Sequence, residues 1–349
     1  MKKLIKVGNV SMGGGKPVVV QGMVKTPPSD KKTAAWINSM ADAGCRLVRV
    51  AVPNAFEASH LGELRKKVKV PLVADIHFDW KLAVTAAASG IDKIRINPSN
   101  IGSTAKVREV AAVCRERGIP IRVGANSGSV KSLNKGDSPK VKARKLASAV
   151  KKEVSVLEKA GFYNIVVSAK AEDVETTVEV NRILDKLAYP LHMGVTATGP
   201  RSSGIIKSAM ALGTLLRDGI GDTIRVSLLS DPVEEVKVAY SILSDIGLIK
   251  RKINFIACPT CGRCAVNLRA ILDEIMKAFP DADTPAAKTL NVAVMGCEVN
   301  GPGEARNADL GIAFAGAKAV YFEKGRIIQT LARSGALPFI KAKIKSGIS

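Results

Sequence analysis

The sequence has 349 residues, 46% apolar and 24% charged, a globular balance that excludes a disordered chain, a coiled-coil rod and a small disulfide-stapled scaffold. Fifty-three Lys and Arg against 31 Asp and Glu leave a net charge of +22, which favours an anionic partner: nucleic acid, a phosphorylated metabolite or an acidic protein. At roughly 150 residues per domain the length suggests about two domains.

The first seven residues lack the apolar core of a signal peptide, and no stretch approaches the roughly 18 apolar residues of a bilayer span. A cytoplasmic protein without membrane contact is expected, so its six cysteines read as thiols or metal ligands. Gly13-Gly14-Gly15 reads as a hairpin tip. Apolar, β-branched runs then recur at 18–21, 46–52, 71–77, 93–98, 120–126, 164–170, 191–197 and 223–228, near-continuous as buried parallel strands are. Between them lie segments of helical period; in the last, Val236, Ala239, Leu243 and Ile246 share one face. Eight βα units in roughly 245 residues fit a TIM (β/α)8 barrel, with a doubly wound sheet as the competing arrangement. The polar loop 129–139 and the Lys-rich helix after it read as a solvated face. The stretch 131–152 has no interleaved aromatics, and a single-strand binder would need stacking rings, so no nucleic-acid partner is expected. Gly219-Ile-Gly-Asp222 reads as a helix-to-strand turn.

After Gly247 the pattern changes. A strand at 253–257 leads to cysteines, a helix at 263–278, a linker at 281–285 and a strand at 290–295. A Gly-rich loop and strands at 311–314 and 319–322 follow. The expected division is a substrate-binding barrel over 1–247 and a smaller α+β domain over 248–349.

Strand ends in the barrel half carry polar residues. Asp75 and His77, Arg95 and Asn97, Ser168 and Lys170, and Arg225 and Ser227 are each two apart, on one face of a strand. Arg49, Arg122, Asn126 and His192 lie near other strand ends. His60 belongs to a helix and is expected to be exposed. C-terminal strand ends face the active site of a TIM barrel, so four Arg and one Lys converge on one mouth. Like charges repel in a partly desolvated site, and Arg matches phosphate oxygens bidentately. An anionic ligand is the reading.

In the second half, Cys258-Pro-Thr-Cys261-Gly-Arg-Cys264 is followed by Cys297. The spacing fits an iron–sulfur cluster, as in ferredoxin runs, a structural zinc or a redox dithiol. Cys45 and Cys114 read as small buried apolar residues. Glu298 and Glu304 stand in a Gly-rich loop, as surface charges or as oxygen ligands. Two further readings follow from these residues. One is a non-redox barrel enzyme for a phosphorylated or pterin ligand, with a structural zinc domain. The other is a nucleic-acid module with a zinc ribbon.

Several segments together resemble the 4-hydroxy-3-methylbut-2-enyl diphosphate synthases of the non-mevalonate isoprenoid pathway, in their short bacterial form. They include Arg49-Val-Ala-Val-Pro53, Ala74-Asp-Ile-His-Phe78, Lys93-Ile-Arg-Ile-Asn-Pro98, Leu191-His-Met-Gly-Val-Thr196 and Gly219-Ile-Gly-Asp-Thr-Ile-Arg-Val-Ser227. The most specific pair is Cys258-Pro-Thr-Cys261-Gly-Arg263 with Met295-Gly-Cys-Glu-Val-Asn-Gly-Pro-Gly-Glu304. The resemblance implies a TIM barrel followed by an iron–sulfur domain, with a [4Fe–4S] cluster on Cys258, Cys261, Cys297 and Glu304 and with Cys264 outside the set. It implies reductive two-electron ring opening and dehydration of 2-C-methyl-D-erythritol 2,4-cyclodiphosphate, with flavodoxin or ferredoxin as donor, in a homodimer. The implied phosphate set is Arg49, Arg95, Arg122, Lys170, Arg225 and Ser227, with Asn97, Asn126, Ser168 and His192 beside it. Glu304, His77 and Asp75 are the implied catalytic residues. The chain departs from the family pattern at Ala197, where a glutamate is usual and is a candidate proton donor, and at Gln21-Gly-Met-Val24.

Overall fold

A computed structural model describes residues 2–97, 101, 103–130, 132–264, 266–297 and 305–348. Contacts divide the chain into Met1–Ile246 and Gly247–Ser349.

The first unit begins with an antiparallel hairpin, β1 (Ile5–Val7) and β2 (Val10–Met12). Its turn is at Gly8, in the left-handed region at φ +54°, and not at the Gly13-Gly14-Gly15 run expected to form the tip. Those three glycines follow β2, also at positive φ. Ile5, Val7, Val10 and Met12 pack on Val19, Leu47 and Val166, so the hairpin is an apolar plug against the early residues of the barrel strands.

The apolar runs form eight parallel strands: β3 (Val19–Met23), β4 (Leu47–Ala51), β5 (Leu72–Asp75), β6 (Lys93–Ile96), β7 (Ile121–Asn126), β8 (Ile165–Lys170), β9 (His192–Met193) and β10 (Thr223–Ile224). Their order is β8-β7-β6-β5-β4-β3-β10-β9. The seam from β8 to β9 is spanned by a parallel bridge between Val167 and Leu191, which nearly closes the barrel. Each strand is followed by a helix: α1 (Thr33–Asp42), α2 (Ala55–Lys67), α3 (Trp80–Ala88), α4 (Thr104–Glu116), α5 (Pro139–Lys159), α6 (Val174–Leu184), α7 (Arg201–Arg217) and α8 (Pro232–Asp245). Local chemistry starts them. Asn54, Asp79, Ser138, Asp173 and Asp231 each accept a hydrogen bond from a first-turn N–H, and α5 and α8 open on Pro. The lysine-rich α5 buries Ala143, Leu146, Val150 and Leu157 and turns Lys140, Lys151 and Lys152 outward. His60 lies in α2, half-exposed.

The seventh and eighth strands are two residues long, shorter than the expected 191–197 and 223–228. Beyond Ile224 one more backbone bond, Arg225 N–H to the Met193 carbonyl at 2.9 Å, is followed by side-chain bonds. Thr198 Oγ1 donates to the Ser227 carbonyl at 2.8 Å, and Leu228 N–H donates to Glu235 at 2.9 Å.

The second unit is a five-stranded sheet in sequential order: β11 (Ile253–Ala257), β12 (Leu290–Met295), β13 (Leu310–Ala315), β14 (Lys318–Glu323) and β15 (Arg326–Ala332). The first three strands run parallel and the rest antiparallel. Helices α9 (Leu268–Ala278) and α10 (Arg333–Gly347) supply Leu268, Ile275, Ile340 and Ile344 to a core with Val292, Val294, Ile312 and Tyr321. The helix expected from 263 starts at Leu268, where the Asn267 side chain caps Ala270 N–H. Strand β15 and helix α10 are absent from the expected pattern. β15 is exposed along most of its length and shows no alternation, while α10 carries an internal Pro338. No helix among the described residues is long and apolar enough to cross a membrane.

Candidate active site

Parallel pairing aligns the strand ends. Asp75 on β5 is register partner of Arg95 on β6, and Arg95 of Arg122 on β7. Asp75 is the hub, 4% exposed. It accepts from Arg95 Nη1 at 3.2 Å, and it lies 3.3 Å from His77 Nε2 and 3.7 Å from Arg49 Nε. Burial by itself would raise the Asp75 carboxyl. The His77 hydrogen bond and the charges of Arg49, Arg95 and Arg122 outweigh it and hold the group below the ordinary carboxylate range. Arg49 also directs Nη2 at the Met23 sulfur, 2.7 Å away. Burial, partly offset by Asp75, brings Arg49 down to about 10, so it stays charged at neutral pH.

On the other side of the mouth Arg225 is held by Glu235 of α8 at 3.3 Å. Glu235 is 2% exposed. Lys170, at the end of β8, passes Gly194. A Cβ there would stand 2.9 Å from Lys170 Nζ and would strike the Arg225 carbonyl oxygen, so this position requires glycine. Ser168 Oγ donates to the His192 carbonyl at 2.9 Å.

These groups enclose a cavity of about 240 Å³ lined by all five predicted cations, Arg49, Arg95, Arg122, Lys170 and Arg225, together with Asp75, His77, Asn126, Ser168 and Ser227. Asn97 and His192 are buried and do not line it. His192 lies within the barrel wall, its Nδ1 2.7 Å from Thr223 Oγ1. Burial and the charge of Lys170 push its imidazole well below the usual histidine range. Met23 and Thr196 line the cavity as well. Glu235 and Lys93 were missed as polar groups of this barrel. Lys93 had a legible signal: it continues the period-2 face of Arg95 and Asn97. Glu235 had none, because its partner lies on another element.

Five cations face two carboxylates here. Arg122 is 3% exposed, and its Nε and Nη2 have no hydrogen-bond partner among the described residues; neither has Arg225 Nε. Buried donors are almost always satisfied, so the mouth is built for a ligand rich in anionic oxygen. Lys170 responds to the same field. Burial, then the like charges of Arg225 and Arg49, lower its pKa well below the usual lysine value. The unfolded chain, with lysines near about 10.4, binds more protons in the window between the two values, so stability rises with pH there. The anion-free protein is expected to gain unfolding free energy as pH rises toward the ordinary lysine value, at most about 1.4 kcal/mol per pH unit for this residue. Denaturant titrations of Lys170→Met are expected to show a shallower slope; an unchanged slope would remove Lys170 as its source.

In the second unit, β11 and β12 are parallel neighbours, with Ala257 paired to Val294. Cys258 follows Ala257 and Cys297 lies two residues after Met295, so both leave the same end of adjacent strands. Gly296 N–H points at Cys258 Sγ, 3.4 Å away, and a Cβ at Gly296 would strike Cys264 Sγ. Cys297 is buried, Cys258 and Cys264 half-buried and Cys261 exposed, all as free thiols. Cys264 Sγ donates to the Val266 carbonyl at 3.2 Å. Among the described residues no three His, Cys, Asp or Glu side chains converge on one point; Glu298 and Glu304 lie outside the described residues. Free thiols on two loops at one sheet end, with a backbone N–H directed at sulfur, are a donor set that suits an iron–sulfur group. Cys45 and Cys114 are buried in the barrel unit, where burial pushes both thiols up to about 12 and leaves them inert.

The sequence matches the GcpE TIM-barrel domain over residues 2–240 and the GcpE protein C-terminal domain over residues 254–346. The chain belongs to the GcpE family. A relative from Thermodesulfovibrio yellowstonii, 4-hydroxy-3-methylbut-2-en-1-yl diphosphate synthase (flavodoxin), is 46% identical over 331 residues, covering 94% of this chain and 93% of its own. One of the same name from Geobacter sulfurreducens is 45% identical over 345 residues, covering 98% and 96%. Among solved structures, dihydropteroate synthase from Yersinia pestis aligns with a TM-score of 0.51 at 14% identity, over 70% of this chain and 99% of that one, a likeness of fold alone. In GcpE terms, the mouth lies in the TIM-barrel domain and the four clustered cysteines in the C-terminal domain.

Proposed function

We propose that the chain catalyses the reductive ring opening of 2-C-methyl-D-erythritol 2,4-cyclodiphosphate to 4-hydroxy-3-methylbut-2-enyl diphosphate. Two electrons and two protons enter and one water leaves. The observation that carries the reading is the barrel mouth, where buried guanidinium nitrogens of Arg122 and Arg225 have no partner among the described residues. A cyclic diphosphate supplies the missing acceptors in bidentate geometry. Arg49 and Arg95 are held by Asp75, Arg225 by Glu235, so the cations are oriented before the ligand arrives. Asn126, Ser168 and Ser227 complete the polar surround, while Asn97 and His192 are buried outside the cavity lining.

Cys258, Cys261 and Cys297 would hold a [4Fe–4S] cluster, with Glu304 as the oxygen ligand, more easily displaced than a fourth thiolate. When bound, the cluster supplies electrons one at a time. The donor is flavodoxin, named with the GcpE relatives, and the net charge of +22 steers an acidic donor toward the protein. The functional unit is a homodimer, as the resemblance implies.

Ala197 carries a methyl group where the family pattern has a carboxylate, and it is left-handed at φ +50°. It cannot deliver a proton. His77 can: its side chain is half-exposed at the mouth and its Nε2 is 3.3 Å from Asp75 Oδ2. His77→Gln is expected to lower kcat roughly 10²-fold, the low end for general acid–base groups, with KM nearly unchanged. An unaltered kcat would move the acid elsewhere.

The test of the whole reading is turnover of the cyclic diphosphate by anaerobically prepared protein with a chemical reductant, together with metal analysis. About four iron and four sulfide per chain with formation of the linear diphosphate are expected for such a cluster. Zinc without sulfide, and no product, would overturn it.

A further inference from the structure

A second cavity, of about 270 Å³, opens beside the mouth. Asp75 and His77 line both, so they form the partition between the two. The rest of the second cavity is of the opposite character. Ala51, Val52 and Pro53 bring the end of β4 to it, while Phe78 and Leu82 come from the loop after β5 and the first turn of α3. Its polar border is already committed. Asp75 is held by Arg95 and His77, and the Asp79 carboxylate accepts from the Lys81 N–H at 2.9 Å. Phe78 is 72% exposed, an aromatic ring left in water at the rim of this cavity.

Together the two cavities make an amphiphilic site. Diphosphate oxygens belong with the cations of the mouth, and an apolar chain that leaves the diphosphate past His77 meets the wall of Ala51, Val52, Pro53, Phe78 and Leu82. The cyclic diphosphate gains little from that wall, because its carbons carry free hydroxyls and its diphosphate closes back on them. Burying a hydroxyl without a partner is unfavourable, whereas a hydrocarbon chain is favoured there. The size agrees. A cavity of roughly 150 Å³ accommodates benzene, so about 270 Å³ holds a branched five-carbon chain and leaves room for a longer one.

We propose that the mouth and the apolar cavity beside it bind linear alkenyl diphosphates, with the diphosphate on the cations and a hydroxyl-free chain on the apolar wall, and that these molecules exclude the cyclic substrate. The inference rests on the diphosphate reading of the mouth. It adds a class of inhibitor to that site, recognised by its chain as well as by its charge.

The test is calorimetry on the full-length, anaerobically reconstituted protein with methyl diphosphate and 3-methylbut-2-enyl diphosphate, which carry the same charge and differ in the chain alone. The longer chain is expected to bind about tenfold more tightly, the worth of about two buried methylene groups, with a more negative heat-capacity change. In turnover it is expected to raise KM for the cyclic diphosphate with kcat held. Phe78→Ser, at an exposed position, and Leu82→Gln, in the wall, are each expected to cut the advantage of the chain below about threefold while methyl diphosphate binds within about twofold of the parent. An advantage below about twofold in the parent, or one that survives in both variants, overturns the proposal. If methyl diphosphate itself does not bind, the diphosphate reading of the mouth fails and the proposal falls with it.

Discussion

Replacing Arg122 with methionine is expected to weaken the cyclic diphosphate roughly hundredfold, about 3 kcal/mol, which is the worth of two charge-assisted hydrogen bonds. The guanidinium is 3% exposed, and its Nε and Nη2 have no protein partner among the described residues. In the free protein it therefore carries desolvation with little return. Burial and the like charges of Arg49 and Arg95 all disfavour its charged form, with Asp75 opposing them. Removing it takes away that cost together with the ligand's best partner. Two measurements are expected to move in opposite directions: affinity falls, by calorimetry with pyrophosphate, and Tm of the anion-free protein holds or rises. Arg122→Lys keeps a charge but loses the planar fork, and about tenfold of the loss is expected to remain. Equal affinity in parent and Arg122→Met would mean that the anion is held elsewhere.

The second large effect lies in the C-terminal unit. Cys297→Ser is expected to abolish iron retention and turnover together. Cys297 is buried at the end of β12, beside the strand that leads into Cys258, and a hydroxyl replaces a thiolate ligand poorly on iron. Iron and sulfide analysis after anaerobic reconstitution, with the absorbance of the cluster, reads the outcome directly. Cys264→Ser is the control. Its thiol donates to the Val266 carbonyl, and its replacement is expected to leave iron content unchanged. If Cys264→Ser loses the iron and Cys297→Ser keeps it, the ferredoxin-like ligand set displaces the one proposed.

Much of this architecture is written in local patterns. Each barrel strand and helix lies where an apolar run or a helical period predicts it, because periodicity depends on which face is buried and is carried by the segment itself. The exceptions have the same physical origin. The strands stop at Met193 and Ile224, and the Thr198 and Glu235 side chains bond the backbone of residues 227 and 228 beyond them. Strand β15 hides no face, so it shows no alternation.

The cations of the mouth were legible as residues two apart on strand ends, but their meaning depends on closure. Eight strands must curl into a ring before Arg49, Arg95, Arg122, Lys170 and Arg225 share one cavity. That same closure brings Glu235 of α8 to Arg225 and carries Lys93 across to Gln21. The first joins neighbouring elements ten residues apart and the second joins residues 72 apart, and neither follows a strand or helix period. The cysteine spacing likewise announced a ligand cluster without choosing among iron–sulfur, zinc and dithiol. The sheet adds that Cys258 and Cys297 emerge together from neighbouring parallel strands. Composition and period are properties of single segments, whereas which buried charge finds a partner, and which is left to a ligand, depends on the three-dimensional neighbours that strand order and barrel closure supply.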